Sequence, residues 1–443
     1  MASPPPSPAN RDRHATAGRP APAVGTSGWG RVRWIIMILI FLGTLINFID
    51  RQTMSVLAPA LEKDLGITNF QYAKIGTVFL LTYSISMSVW GSIFDRLGNR
   101  ISYSLAILWW SLAEVAHALA SGVLSFSFLR GLLGMGESGA WPGAARTVTA
   151  WFEPGDRALG IGVSNAGTAI GAAVAAPLII WIDLRWGWRA TFALTGSLGF
   201  FWLLAWWLLY PKSEPVREES RPDPALPVLS KRRIFASKKV LGVLLARFLC
   251  DPVWWLYVNW LPLYLHNVRG FSLREIGASA WFPFACAGIG SFAGGFFAQA
   301  VIRRTGSVAL ARKSAIVIGG LLMPAGAGAI WVSSPYAALG CMGITLFAFQ
   351  FWIGNVQSLP TDLVGMRALG LVAGAAGTAA GFGAMIFTLS TGWVVDHFSY
   401  TPILVVSGCL APVASVVLLL TLGKIERIDG THNPPHPRYA DLF

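Results

Sequence analysis

Charged residues are scarce in this sequence of 443 residues. Asp, Glu, Lys and Arg make up 12% of the chain, whereas 54% of it is hydrophobic and the mean hydropathy is +0.57. A soluble domain usually has roughly a quarter of its residues charged, because these residues cover its surface. The composition therefore excludes an ordinary soluble domain and predicts a protein embedded in a lipid bilayer.

Cysteine and the common catalytic motifs are also sparse. The four cysteines lie in apolar runs without ligand-like spacing, so we expect small buried side chains and neither disulfides nor a metal site; they are Cys250, Cys286, Cys341 and Cys409. No H-E-x-x-H pair, nucleophile elbow or P-loop occurs in the sequence. We therefore expect no enzymatic activity, no metal and no cofactor.

A basic stripe on a polar domain is missing as well, although the net charge is +13. Lys and Arg collect in alternate loops between apolar runs, so nucleic acid is not an expected partner and the basic loops are expected to face the cytoplasm. Residues 1–30 are rich in Pro, Ala, Ser, Gly and Arg and lack the hydrophobic stretch of a signal peptide. They are predicted to form a disordered cytoplasmic tail.

Apolar runs long enough to cross a bilayer, about 20 residues each, recur along the rest of the chain. The sequence predicts twelve all-helical spans, at 32–57, 72–94, 101–120, 123–146, 157–181, 189–210, 239–265, 275–300, 313–333, 336–357, 366–391 and 401–422. An even number of crossings agrees with the charge bias and places both termini in the cytoplasm.

The segment 211–238 differs from the other loops because it is long, charged and rich in proline. Six predicted spans precede it and six follow it, which indicates two pseudo-symmetric six-helix bundles. We therefore expect an N-terminal bundle at 31–210, a cytoplasmic linker at 211–238, a C-terminal bundle at 239–424 and a cytoplasmic tail at 425–443.

Several charged residues lie inside predicted spans, where each is expected to cost about 2.5–3.5 kcal/mol at the bilayer centre. They are Asp50 and Arg51 in the first span, Glu114 in the third, Arg130 and Glu137 in the fourth, and Arg247 and Asp251 in the seventh. Such residues are expected to face a wet cavity or one another, and they are functional candidates by default.

Their expected depth in the membrane brings four of these residues together, namely Asp50, Arg51, Arg130 and Glu137. The first span runs outward and the fourth runs inward, so Arg51 and Arg130 are expected at comparable depth. Glu137 follows Arg130 by two helical turns, roughly 10 Å, on the same face. An arginine offers a planar fork for a carboxylate, and a neighbouring buried acid can respond to the arrival of a substrate. These residues predict an anion site with a protonatable partner; the alternative is a static salt-bridge cluster that fixes helix packing.

Two further sets of charges are open to a structural interpretation. Arg247 and Asp251 lie four residues apart on one helix face and can simply neutralise each other. Glu114 and His117 belong to a span that need not line a cavity, and we expect them to have a packing or interfacial role.

The stretch 91–100, GSIFDRLGNR, begins at the end of the second predicted span and continues into the loop that follows it. It resembles the signature loop of the major facilitator superfamily, with its G-x-x-x-D-R-x-G-x-R pattern. We expect Gly91 to allow close packing and Asp95 to cap a neighbouring helix N-terminus. The resemblance implies a cytoplasmic gate, which latches the two bundles together, at Gly91, Asp95, Arg96, Gly98 and Arg100.

Residues 47–52 (NFIDRQ) and 130–142 (RGLLGMGESGAWP) resemble the anion:cation symporter branch of this superfamily. Within that branch, three stretches resemble the bacterial hexuronate transporters, namely residues 130–142, residues 251–262 (DPVWWLYVNWLP) and residues 350–355 (QFWIGN). Related carriers often have a Tyr where this chain has Phe48. The resemblance covers essentially all of the predicted spans and implies the major facilitator fold.

The resemblance also implies roles for individual residues. Arg51 would hold the substrate carboxylate, Asp50 and Glu137 would couple substrate to protons, and Arg130 would act on Glu137. Polar and aromatic side chains would face the hydroxyl groups and the ring of the substrate; these are Asn47, Tyr83, Asn165, Gln350, Trp352 and Asn355.

The function expected from these observations is proton-coupled uptake of a hexuronate or related sugar acid across a bacterial inner membrane, by a protein that is expected to be monomeric. Two alternatives within transport remain, namely a carrier for another organic monoanion, such as an aldonate or an aromatic acid, and an anion exporter. A non-transporting membrane sensor is a third alternative, from a different class of protein.

Overall fold

The computed structural model describes residues 29–152, 157–212, 230–364 and 366–428, and this part of the chain is helical without strands. Thirteen α-helices follow one another in the described residues. They are α1 (Trp29–Leu65), α2 (Asn69–Ala116), α3 (Val123–Glu137), α4 (Ala140–Trp151), α5 (Arg157–Leu209), α6 (Lys231–Phe235), α7 (Lys238–Asn267), α8 (Leu273–Ser279), α9 (Trp281–Thr305), α10 (Val308–Leu322), α11 (Pro335–Leu363), α12 (Met366–His397) and α13 (Tyr400–Leu422). Short 3₁₀ helices follow α2 (His117–Leu119) and α10 (Met323–Ile330).

Nine helical stretches in the described residues are long and apolar enough to cross a membrane. Two of them, Asn69–Leu119 and Gly160–Leu209, have 51 and 50 residues, which is enough for two crossings each. Each is interrupted by a glycine with positive φ, at Gly98 (φ 73°) and Gly187 (φ 77°), a conformation that favours glycine because it has no Cβ. Eleven of the predicted spans coincide with these stretches to within a few residues, whereas the fourth, 123–146, is divided between the shorter helices α3 and α4. The number of twelve crossings stays a prediction.

The predicted 6+6 division stays a prediction as well. Its N-terminal tail and C-terminal tail lie almost wholly outside the described residues, as does most of the linker, whose residues 213–229 are not described. The last turn of that linker region forms the short helix α6, which Ser230 caps by accepting a hydrogen bond from the backbone N–H of Arg233.

The outer surface of the helices is apolar. Large hydrophobic side chains that are mostly exposed include Phe201, Leu208, Ile289, Phe296 and Leu420. So much exposed apolar surface would be unfavourable in water, but lipid tails solvate it. The charged side chains at the centre of the molecule are instead buried, so the polarity is inverted relative to a soluble protein.

A central cavity lies between the helices before the linker and those after it. Helices α1, α2, α4 and α5 form one wall, and α7, α9, α11 and α12 form the other. One end of the cavity is sealed where the two sets of helices meet. There the carbonyl oxygen of Asn259 in α7 accepts hydrogen bonds from Ser55 Oγ at 3.1 Å and Tyr72 Oη at 2.8 Å. The predicted topology places this sealed end on the outer side of the membrane.

Candidate functional site

Arg51 and Glu137 form a buried ion pair at the sealed end of the cavity. The Nε and Nη2 atoms of Arg51 donate to Oε2 of Glu137 at 3.0 and 2.8 Å. Arg51 is 6% exposed and Glu137 is fully buried. Asn47, one turn before Arg51 in α1, accepts a further hydrogen bond from Nη2 at 3.2 Å. Asn47 therefore orients the guanidinium from the side and does not line the cavity.

Aromatic rings surround the Arg51 guanidinium. Its carbon Cζ lies 5.0 Å from the ring centroids of Phe48 and Tyr83, and 5.4 Å from that of Trp255 in α7. Such cation–π contacts stabilise a cation without neutralising it. Trp255 reaches across from the opposite wall, so Arg51 is held by both sets of helices. Sequence reasoning did not assign Trp255 a role, although it lies in a stretch that carried the resemblance.

A second group of charges is buried behind this pair. Asp50 is fully buried, and neither of its carboxylate oxygens has a hydrogen-bond partner among the described residues. It interacts electrostatically with Glu114, Glu137 and Arg130. Arg130 is 3% exposed, and its Nε lies 3.1 Å from the sulfur of Met54. The predicted convergence of Asp50, Arg51, Arg130 and Glu137 is therefore what the fold produces.

Glu114 is packed in the interior beside the charge cluster and not at an interface. The carboxylate is fully buried beside the charges of Arg130 and Glu137. Its Oε2 lies 3.7 Å from Nδ1 of His117, and that nitrogen is closer to the carbonyl oxygen of Ala113, at 2.7 Å. The His117 ring stacks on Phe192. Helix α2 folds back on itself at Gly98, which brings Glu114 to this cluster. The comparison of depths along the predicted spans did not place Glu114 there.

The cavity has a volume of about 360 Å³, within the range of sites for small molecules. Four of the predicted substrate-binding residues line it, namely Arg51, Tyr83, Asn165 and Gln350. Asn165 belongs to α5 and Gln350 to α11, so both walls contribute an amide group. Phe48, Trp141, Trp254 and Trp255 add aromatic surface. The arrangement offers one cation, several polar groups and flat apolar faces.

The other two residues from the 350–355 stretch lie elsewhere. Trp352 is fully buried, donates from Nε1 to Ser415 Oγ at 3.0 Å, and packs against Gly319. The position two residues after Gln350 points to a different face of the helix, because a helix turns about 100° per residue. Asn355 accepts a hydrogen bond from Arg312 at 3.1 Å and donates to the carbonyl oxygen of Phe351 at 3.0 Å. The expectation that these two side chains face a substrate is not met in this conformation.

A second ion pair lines the same cavity. The sequence did not decide whether its two residues have a function or only neutralise each other. Arg247 and Asp251 in α7 are joined by two hydrogen bonds, from Nε at 3.1 Å and from Nη2 at 2.6 Å, both to Oδ2. The spacing of four residues predicted the pair itself. Its place in the cavity wall could not be read from the sequence, because it depends on how α7 is rotated against its neighbours.

In the predicted gate loop, the contacts of Asp95 and Gly91 differ from those expected. Asp95 is paired with Arg146 of α4, and both side chains are partly exposed; no described helix N-terminus is capped by Asp95. Arg100 donates to the carbonyl oxygen of Trp207 at 2.9 Å and lies over its indole, while Arg96 is exposed. A Cβ at Gly91 would meet no atom within 4 Å, so Gly91 is not at a close approach here. Gly98 provides the break in α2.

Comparisons with known proteins agree with this architecture. The model of the Major Facilitator Superfamily matches residues 40–388. The chain is 29% identical to the hexuronate transporter of Escherichia coli K12, over 92% of this chain and 99% of that protein. It is 28% identical to a D-galactonate transporter of Escherichia coli, over 90% and 97% of the two chains.

The fold is also that of a solved bacterial transporter. A crystal structure of a bacterial homolog of the human lysosomal transporter Spinster, in an inward-facing and unoccupied conformation, matches with a TM-score of 0.68 at 20% identity. It covers 88% of this chain and 96% of its own. Since the family model spans most of the chain and the helices form the same fold, this multi-pass membrane protein belongs to the Major Facilitator Superfamily.

Proposed function

We propose that the protein is a secondary transporter that imports a hexuronate, or a related sugar-acid anion, together with protons by alternating access. The observation that carries this proposal is the Arg51–Glu137 pair at the sealed end of the central cavity. In the proposed orientation, with both termini in the cytoplasm of a bacterium, the cavity faces inward. The protein would act as a monomer, because one chain completes the cavity.

Arg51 suits a carboxylate because its guanidinium is already oriented by Asn47 and by aromatic rings. Preorganisation of this kind lowers the entropic cost of binding. The hydroxyl groups of a sugar acid would find the side chains of Tyr83, Asn165 and Gln350, which line the same space. Apolar faces of the sugar ring would pack on Trp254 or Trp255.

The ion pair also suggests how protons would be coupled to substrate. A substrate carboxylate at Arg51 would compete with Glu137 for the same two N–H groups. A buried carboxylate that loses its cationic partner is strongly favoured to bind a proton. Substrate binding would therefore be linked to protonation of Glu137, with Asp50 and Arg130 completing the buried charge cluster.

A second candidate substrate is an aldonate, the open-chain relative of these acids. The support for it is the similarity to a D-galactonate transporter over most of the chain. Both substrates present one carboxylate and several hydroxyl groups, so the same residues would bind either of them.

The test is uptake of labelled galacturonate, glucuronate and galactonate into proteoliposomes, with and without an inward proton gradient. We expect saturable accumulation of at least one of them that depends on the gradient and is lost in Arg51→Ala. The exposed Arg185, which lies over Trp181 outside the cavity, provides the matched control Arg185→Ala. Normal transport by Arg51→Ala, or no uptake of any sugar acid by folded protein, would contradict the proposal.

A further inference from the structure

The Arg247–Asp251 pair has the features of a second polar subsite in the cavity. Both residues lie in its wall, and their side chains are 13% and 10% exposed. Both hydrogen bonds from Arg247 go to one oxygen, Oδ2. The other oxygen of Asp251, Oδ1, is buried and has no partner among the described residues. A buried charged acceptor without a donor is unfavourable, so a donor from a ligand would stabilise it.

The pair stands at a defined separation from Arg51. Trp255 is one turn beyond Asp251 in α7, and its ring lies 5.4 Å from the Arg51 guanidinium carbon. Arg247 is one turn before Asp251. Four residues of helix correspond to a rise of about 6 Å, so the pair lies about 6–12 Å along α7 from the level of Arg51. A six-carbon acid with its carboxylate at Arg51 would place its other end in this region.

The charge of the pair determines what that other end can be. Arg247 is already neutralised by Asp251, so a second carboxylate would have to displace Asp251 and leave a buried charge unpaired. Two neighbouring hydroxyl groups need no such displacement. One can donate to the carboxylate of Asp251, which lines the cavity and whose Oδ1 has no donor among the described residues, and the other can accept from an N–H group of Arg247.

We propose that Arg247 and Asp251 form the subsite for the uncharged, hydroxylated end of the substrate. The protein then selects acids with one carboxylate and a polyol body over dicarboxylates and over acids without hydroxyl groups. This inference rests on the proposed function, because it takes Arg51 as the subsite for the carboxylate.

The test is competition against uptake of labelled galacturonate by three unlabelled acids, namely galacturonate, its dicarboxylate analogue galactarate, and hexanoate, which has no hydroxyl groups. For the unmodified protein we expect galactarate and hexanoate to compete at least about tenfold more weakly than galacturonate, the difference expected from one hydrogen bond to a charged group. If galactarate competes equally well, the inference is wrong.

Asp251→Asn removes the acceptor charge and leaves Arg247 without a counterion. Galacturonate is expected to bind about tenfold more weakly in this variant, while galactarate gains relative to galacturonate, because the free cation now favours a second carboxylate. An unchanged ratio of the two affinities would overturn the inference. The matched control is Asp362→Asn, which breaks an Asp–Arg pair of α11 and α10 that does not line the cavity; this variant should keep the ratio.

The double variant Arg247→Gln with Asp251→Asn covers the case in which the single change impairs folding. It keeps the subsite neutral, so we expect weaker discrimination between galacturonate and hexanoate without a gain for galactarate. Preserved discrimination would contradict the inference. The two proposals can be contradicted separately. Uptake that survives Arg51→Ala would contradict the proposed function, whereas Arg51-dependent uptake with unaltered selectivity in Asp251→Asn would contradict only the proposed subsite.

Discussion

The carboxylate of Asp396, in the last turn of α12, accepts a hydrogen bond at 2.8 Å from the backbone N–H of Phe70 in the first turn of α2. Its other oxygen accepts from the backbone N–H and the side-chain amide of Asn69, at 3.2 and 2.9 Å. An acid at a helix N-terminus satisfies free N–H groups and interacts favourably with the helix dipole. This contact joins the two sets of helices at the sealed end of the cavity.

Asp396→Ala is therefore expected to weaken closure of that end. Because Asp396 is exposed, its removal should destabilise the closed state by about 0.3–1 kcal/mol. This change corresponds to about a two- to fivefold increase in the population that is open at this end. The measurement is the rate at which an external, impermeant thiol reagent labels Ser55→Cys in a background without native cysteines. The control is Glu275→Ala, since Glu275 bonds Ser272 at the start of its own helix, α8. Equal labelling rates with and without Asp396 would contradict its role in closing this end of the cavity.

Glu137→Gln should separate substrate exchange from proton-driven accumulation. Gln keeps the size of the side chain and one acceptor for Arg51, but it cannot take up a proton. We expect substrate exchange across proteoliposomes without a gradient to continue, whereas accumulation driven by a proton gradient is lost. Accumulation at the normal level would show that the proton is carried elsewhere in the cluster.

The buried cluster of Asp50, Glu114, Arg130 and Glu137 predicts opposite effects for two neutral substitutions. Arg130 is the cation that acts on both Asp50 and Glu114. Arg130→Gln leaves these acids without that cation and should destabilise the protein by about 3–5 kcal/mol. Glu114→Gln instead removes an acid without a hydrogen-bonded cation and should leave thermal stability unchanged or raise it by about 1 kcal/mol. Thermal unfolding in detergent measures both, and a similar loss in both variants would contradict this account.

Two glycines, one in α3 and one in α2, should respond differently to alanine. A Cβ at Gly134 in α3 would lie 2.6 Å from the carbonyl oxygen of Phe79 in α2, so α3 would have to move. Gly134→Ala is expected to cost about 1–3 kcal/mol of stability. Gly91→Ala, in the signature loop, has open space around it and should be neutral or slightly stabilising, because Ala favours helix. Thermal unfolding of both variants tests this, and equal destabilisation would contradict it.

The sequence predicted the membrane class, the location of the helices and the convergence of Arg51 with Glu137. Those features depend on long apolar runs and on the cost of burying charge, which are both visible in composition and spacing. The charged residues of α1 and α3 could be matched in depth because the rise of a helix is fixed.

The rotation of each helix about its axis and the contacts between distant residues could not be predicted from the sequence in this way. Glu114 joins the charge cluster only because α2 folds back at Gly98, and Asp95 pairs with Arg146 through the packing of α4 against α2. The Asp396 contact connects residues more than 300 positions apart. Contacts between residues so far apart in the chain depend on how the helices pack. A single sequence is compatible with several rotations of each helix about its axis.

Trp352 and Gln350 provide the last comparison, because they lie two residues apart in α11 and have different surroundings. Gln350 lines the cavity, whereas the indole N–H of Trp352 donates to Ser415 in α13 at 3.0 Å. Trp352→Phe removes that buried hydrogen bond and should lower stability by about 1–3 kcal/mol with little change in KM. Gln350→Ala removes an amide from the cavity and should raise KM for sugar acids with little change in stability. Uptake kinetics and thermal unfolding of both variants separate the two roles. A raised KM in Trp352→Phe at normal stability would instead support the substrate contact that the resemblance implied for Trp352.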